Sequence, residues 1–247
     1  MTSYEKIIWI LKRMGESPYY LRIQELVEES GISKSGIHKI LQSLKKGGFV
    51  IQDKETKKYS LGPELYRLGN VYIEKKEIYH IAYPIMKNLS EITNQTISIG
   101  VFEDGEAILA YKIESSIKNR LIGKLGTVYP INAGGIGKIL HAYNSLDNLL
   151  QDENDLFLPK LTEYTIDDHN DLLNEFLDIR KNGVVISNEE HNRGSIGVAS
   201  PIFDHRGKAL YCICLAGSIE NFTDNNIDKY KIMIKEAAQN ISEILKS

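Results

Sequence analysis

The sequence predicts an α+β protein in two parts: a three-helix head closed by a hairpin, and a larger body of alternating strands and helices. Three observations predict it. Apolar residues recur at helical spacing three times before residue 45, then form two short runs around the charged turn 53–58. Charge is divided unevenly. Residues 1–67 hold 12 Lys/Arg against 8 Asp/Glu, a net of +4, and residues 68–247 hold 18 against 25, a net of −7. Beyond residue 95, period-two apolar runs are interleaved with amphipathic stretches, the pattern of a mixed α/β body.

Each element of the head has its own signals. Ile7, Ile8, Leu11 and Met14 share a helical spacing, and Gly15-Glu-Ser-Pro18 ends the run. Residues 21–29 form a short second helix around Leu26 and Val27. Gly31 and Ser33 make a tight turn. Ile37, Ile40, Leu41 and Leu44 stripe a third helix that Gly47-Gly48 stops. Phe49-Val-Ile and Tyr59-Ser-Leu61 flank a lysine-rich polar turn, which reads as a hairpin. Helix, turn, helix and basic-tipped hairpin are the outline of a winged helix-turn-helix.

Pro63 starts a further helix through Leu65, Leu68 and Tyr72 toward Ile78, and its Glu74-Lys-Lys-Glu77 middle suits a solvated linker. The division expected is a head over 1–66, a linker helix over 67–80 and a body over 81–247. In the body, Ile97, Ile99 and Val101 alternate as a strand that turns at Asp104-Gly105 into a second strand over 107–113. Gly134-Gly-Ile-Gly137 opens a helix. Thr165 and Asp168 read as a capping pair for a helix containing Leu172, Leu173, Phe176 and Leu177. Strands are expected over 184–187, 195–203 and 209–217, and Thr223 caps a last amphipathic helix over 227–245.

Composition narrows the function classes. With 247 residues, 42% hydrophobic and 26% charged, the chain has enough apolar mass for a packed core and is too apolar for disorder. No apolar run approaches the roughly 18 residues that a membrane span needs. The start, Met1-Thr-Ser-Tyr-Glu-Lys-Ile, lacks a signal-peptide pattern. Cys212 and Cys214 are one residue apart in an apolar run, too close to bridge without strain. They are expected as reduced thiols in a cytoplasmic protein.

With the stripe of the third helix turned inward, its outward face holds Lys34, Ser35, His38, Lys39 and Gln42. Such side chains reach phosphates and base edges: lysine as a point charge or guanine donor, glutamine bidentate to adenine, serine to either. Lys45 and Lys46 extend the charge to the helix C-terminus. Lys54, Lys57 and Lys58 on the hairpin are placed for a flanking phosphate or minor groove. Any surface helix has a polar outer face. The linked pattern of turn, helix and basic wing is what points to double-stranded DNA.

The run Leu26-Val-Glu-Glu-Ser-Gly-Ile-Ser-Lys-Ser-Gly-Ile-His-Lys-Ile-Leu, with Leu44, Gly48-Phe-Val and Tyr59-Ser-Leu-Gly62, resembles the DNA-binding head of the IclR family of bacterial transcription regulators. Gly126-Thr-Val-Tyr-Pro-Ile-Asn-Ala-Gly-Gly-Ile-Gly-Lys-Ile-Leu, Gly183-Val-Val-Ile-Ser-Asn-Glu-Glu and Gly197-Val-Ala-Ser-Pro-Ile-Phe-Asp resemble that family's body, in the same order. The resemblance implies a GAF-like effector domain, a homodimer or homotetramer, a palindromic operator and a small organic-acid effector that changes DNA affinity. Two half-sites also fit the physics, because one short helix reads few bases. Gly36 and Lys39, both in the implied DNA-binding set, stand where the family usually has Thr and Arg. Base preference is therefore expected to be this chain's own.

The same resemblance places Ser187, Ser195, Gly197, Cys214 and Ala216 on the wall of an effector pocket. Gly135 and Ile136 fall at a helix N-terminus whose N–H groups would meet the effector. Free N–H groups there attract a carboxylate on electrostatic grounds. Ser195 and Gly197 are two apart on a strand, as are Cys214 and Ala216, so each pair shares a face. Small residues on facing strands also serve close packing. Ser187 stands where acid-binding members carry a carboxylate, and Cys214 and Ala216 where they carry serines. A larger or more apolar acid than glyoxylate or pyruvate, aromatic ones included, is expected.

Catalytic motifs fail on spacing. Gly137-Lys138 resembles the end of a phosphate loop, but Asn132 stands where glycine is needed and Ile139 where Ser or Thr would be. Gly194-Ser195 lacks the pattern of a nucleophile elbow. Glu189, Glu190, His191 and His205 lack metal-ligand spacing. The protein expected is a transcription regulator, not an enzyme, with no metal, cofactor or membrane partner. Repression and activation look alike at this level. Two alternatives stay open: a small-molecule-binding enzyme with a vestigial head, and a head that mediates protein contacts.

Overall fold

The computed structural model describes residues 1–74, 76–114, 123–151 and 157–246, in two compact units, Met1–Lys75 and Lys76–Ser247. The first unit runs α1 (Ser3–Met14), α2 (Ile23–Ser30), α3 (Lys34–Lys46), β1 (Val50–Gln52), β2 (Tyr59–Leu61) and α4 (Pro63–Glu74). Thr2 and Glu5 form a capping box at the start of α1. Gly31 ends α2 at φ 68°, a left-handed conformation that suits glycine. Two residues later Ser33 caps α3, its hydroxyl accepting from the Gly36 N–H at 3.2 Å.

This short turn forces α2 and α3 to share one core. Ile10, Met14, Leu21, Leu26, Ile32, Ile37, Leu41, Val50 and Tyr59 are all buried in it. The inward face of α1 is therefore set by Ile10 and Met14, while Ile8 is 55% exposed. Leu21 is not helical. It exchanges backbone hydrogen bonds with Tyr59, at 2.9 and 2.7 Å, and so adds a rung to the β1–β2 hairpin. Arg13 closes a fork on Glu29, with Nη2–Oε1 at 2.9 Å and Nε on the other oxygen, joining α1 to α2.

The second unit contains α5 (Glu77–Thr93), β3 (Thr96–Glu103), β4 (Glu106–Ile113), β5 (Val128–Tyr129), α6 (Gly135–Asn144), α7 (Leu146–Gln151) and α8 (His169–Asn182). It continues with β6 (Val185–Asn188), β7 (Ser195–Ile202), β8 (Tyr211–Ser218) and α9 (Asp224–Lys246). The sheet order is β5-β4-β3-β8-β7-β6, with every neighbouring pair antiparallel. Asp104 and Gly105 take φ 50° and 82°, the paired positive values of a two-residue hairpin loop. Alternation along β8 divides two layers. Cys212 and Cys214 enter a core with α6 and α8, and the intervening residues face the side where α5 and α9 pack.

Besides Leu21, three sequence expectations change. The helix begun at Pro63 does not run on to Ile78: α4 ends at Glu74 and a separate α5 begins at Glu77. The strand β5 and the helix α7 were not foreseen. Thr165 does not cap α8. Asp168 does so alone, accepting from Asn170 N and Asp171 N, while the buried Thr165 hydroxyl donates to the Glu190 carbonyl at 2.6 Å.

His141 on α6 is buried, its ring edge on Phe102 and its Nδ1 3.0 Å from Ser145 Oγ. Burial pushes its pKa down from 6.5 to about 4. The unfolded chain therefore binds the extra proton between those values, and stability falls as pH drops through that window. The full loss is expected to be on the order of 3 kcal/mol. Urea unfolding of the body between pH 7 and 4 checks this, and His141→Gln is expected to flatten the slope.

Candidate functional site

The α6 N-terminus is unusual in composition. Gly134 stands at the N-cap with φ 81°, and no side chain caps the helix. A Cβ at Gly134 would meet the Tyr129 ring at 2.6 Å, and one at Gly137 would meet the Pro130 carbonyl oxygen at 2.2 Å. Glycine is thus required for the helix to start this close to its neighbours.

Opposite this end, small residues fall in a row across three strands. Ser187 pairs with Gly197, and Gly197 with Ala216. Beside them, Ala199 and Ser98 flank Cys214. The row leaves space that larger side chains would fill, and the result is a cavity bordered by all seven residues expected from the sequence: Gly135, Ile136, Ser187, Ser195, Gly197, Cys214 and Ala216. Ser98, Tyr129, Gly134, His191, Asn192 and Ile196 complete the wall and were missed.

The cavity volume is about 40 Å³. One water needs roughly 10–15 Å³ on such a scale, and an apolar cavity of about 150 Å³ takes benzene.

The electrostatics at the wall are those of neutral groups. Burial lowers the His191 pKa, so the ring stays uncharged, tilted against Tyr129 with ring centroids 4.6 Å apart. Burial likewise pushes Tyr129 and the Cys214 thiol up to about 12. Cys214 therefore offers no thiolate at neutral pH.

Behind the wall lies one buried cation. Lys138 is 1% exposed, and its Nζ donates to Glu190 Oε1 at 2.6 Å, Glu175 Oε1 at 2.7 Å and the Ile186 carbonyl at 3.1 Å. Glu190 Oε2 accepts from the Ser187 hydroxyl at 2.8 Å. Burial raises the Glu190 pKa, with Lys138 and Ser187 opposing. This lysine, for which a phosphate-loop role failed on spacing, is engaged by protein groups. Asn132 also has a structural role, donating to the Pro159 and Ile166 carbonyls. Among the described residues no three His, Cys, Asp or Glu side chains converge as a metal site.

In the first unit, Lys34, Ser35, His38, Lys39 and Gln42 are all exposed along α3. Gly36 is half-buried, and its N–H is taken by the Ser33 cap. Lys57 is exposed at φ 60° in the hairpin turn, and Lys58 is half-buried. Asp53 organises that turn, accepting from Glu55 N, Thr56 N and Thr56 Oγ1, which lowers its pKa. Lys45 Nζ donates to Gln52 Oε1, whose amide donates to the Lys57 carbonyl, so the end of α3 holds the wing.

Comparison with known proteins gives the family. Residues 70–243 match the model of the bacterial transcriptional regulator IclR C-terminal domain, and residues 3–54 match the IclR helix-turn-helix domain. The chain belongs to the IclR family of bacterial transcriptional regulators. The transcriptional regulator KdgR of Dickeya chrysanthemi is 29% identical over 98% of this chain and 79% of its own length. The transcriptional repressor IclR of Escherichia coli is 26% identical over 94% of this chain and 86% of its own length. The crystal structure of the Thermotoga maritima IclR is 27% identical and covers both chains fully, with a TM-score of 0.78. The α+β architecture expected from the sequence is that of this IclR family.

The Lys138 cluster generates a sharp expectation. Lys138→Met leaves Glu190 buried without its counter-ion and is expected to cost about 3–5 kcal/mol of body stability. Adding Glu190→Gln removes the orphaned charge and is expected to recover a measurable part of it. Urea denaturation of the two variants checks the loss and its recovery.

Proposed function

We propose that this IclR-family chain is a regulator whose α3 reads a palindromic operator and whose α6 pocket binds a small organic acid that modulates operator affinity. The observation that carries the reading is one cavity, at an uncapped helix N-terminus, lined by the seven residues that the family resemblance implied for an effector pocket. The α6 N–H groups and helix dipole favour a carboxylate there. The DNA-binding set is Lys34, Ser35, Gly36, His38, Lys39 and Gln42 on or near α3, with Lys57 and Lys58 on the wing. The pocket set is Gly135, Ile136, Ser187, Ser195, Gly197, Cys214 and Ala216.

A homodimer suits both units of the reading, since two half-sites multiply specificity. Supporting it, Tyr4 and Ile8 on α1 and Tyr66, Leu68, Val71 and Tyr72 on α4 leave large apolar side chains exposed. The protein acts in the cytoplasm and catalyses no reaction. The strongest nucleophile candidate at the cavity, Cys214, is kept protonated by burial.

The test uses fluorescence anisotropy with a DNA fragment enriched from the organism's own genome. Lys39→Ala is expected to weaken binding by about 1–3 kcal/mol and to relax base preference. Lys57→Ala is expected to weaken binding to all sequences alike and to reduce the salt slope by about one. Unchanged affinity in the Lys39 variant would remove α3 from the reading role. Titrating short carboxylates into the same assay is expected to shift the binding curve, and no shift with any of them would contradict effector control.

A further inference from the structure

The cavity has two chemically different ends. At the α6 end are donors: the N–H groups of the first turn and, beside them, His191. Its Cβ lies 3.7 Å from where a Gly134 Cβ would be. The Asn192 amide is 2.9 Å from His191 Nδ1, and an amide donating there leaves the neutral ring's proton on Nε2.

On the sheet side the serines have spent their hydrogens. The Ser187 hydroxyl donates to Glu190 Oε2 at 2.8 Å, and the carboxylate's other oxygen accepts from Lys138. The Ser195 hydroxyl donates to the Asn192 carbonyl at 2.7 Å. A serine hydroxyl has one hydrogen, so each of these oxygens presents only lone pairs to a ligand. Ser98, the third hydroxyl at the wall, carries no such recorded bond among the described residues and can turn either way.

We propose that the pocket selects a short hydroxycarboxylate over the matching oxo acid: the α6 end takes the carboxylate, and Ser195 accepts the single hydrogen of the ligand hydroxyl. The proposal rests on the carboxylate reading above and adds the class of acid. A carbonyl oxygen placed against Ser187 and Ser195 finds no donor in those two hydroxyls, and its desolvation there goes uncompensated. An ammonium group would need a counter-charge, and both oxygens of the one carboxylate behind Ser187 are already engaged. A three-carbon acid also suits a cavity of about 40 Å³.

Isothermal titration of the full-length chain with lactate (each enantiomer), pyruvate, propionate and alanine tests this. One lactate enantiomer is expected to bind at least tenfold tighter than pyruvate, propionate or alanine. Ser195→Ala is a mild variant, because the Asn192 carbonyl keeps its bond from Ser195 N. It is expected to reduce the lactate preference severalfold while leaving propionate affinity unchanged. Ser98→Ala is expected to keep the preference. Pyruvate binding as tightly as lactate would overturn the hydroxyl assignment and leave the carboxylate site standing. An unchanged preference in Ser195→Ala would overturn the role of the spent hydroxyls. If none of the acids bound, the carboxylate site and the proposal would both fall.

Discussion

A lysine ammonium with 1% exposure is the constraint around which the body is arranged. Moving such a charge out of water costs several kcal/mol, and the cost is met only when carboxylates and a carbonyl reach it with good geometry. For Lys138 those partners come from different parts of the fold: Glu175 on α8, Ile186 on β6 and Glu190 in the segment after β6. All must be in register for the charge to be tolerated. The same Glu190 fixes the Ser187 hydroxyl, and Thr165 and Thr162 hold the Glu190 backbone carbonyl. The position of the pocket wall therefore follows from satisfying one cation behind it.

The head needs no comparable device. Its geometry is local: a left-handed glycine at Gly31, a serine cap two residues on, and an apolar stripe that turns the polar face of α3 outward. Such features are written over spans of a few residues, which is why the head was legible in the sequence almost to the residue. The hairpin at Asp104-Gly105 was legible for the same reason. Leu21 was misplaced into α2 because its apolar character fits a helix stripe as well as a sheet edge. Only its pairing with Tyr59, 38 positions away, decides between them.

The pocket divides differently. Period-two spacing correctly put Ser195 with Gly197 and Cys214 with Ala216, and the family resemblance named their common wall. His191, Asn192 and Tyr129 arrive from a turn and a two-residue strand, and no periodicity marks such positions. The burial of Lys138 went unread because lysine is usually a surface residue and the carboxylates that permit it lie 37 and 52 residues downstream. Thr165 was assigned to a helix cap on spacing alone, whereas its hydroxyl serves a carbonyl 25 residues away. The helix α5 went unmarked in part because Pro84, a helix breaker by propensity, lies inside it.

Selecting sheared genomic DNA on the full-length chain at two salt concentrations, with and without a short carboxylate, is the most direct test of sequence-specific regulation. Enrichment of a palindrome with two half-sites, changed in strength by the acid, is the expected result. DNA retained without any enriched sequence, equally with and without acid and lost at the higher salt, would mean that α3 reads only phosphate charge, and would contradict the regulator reading.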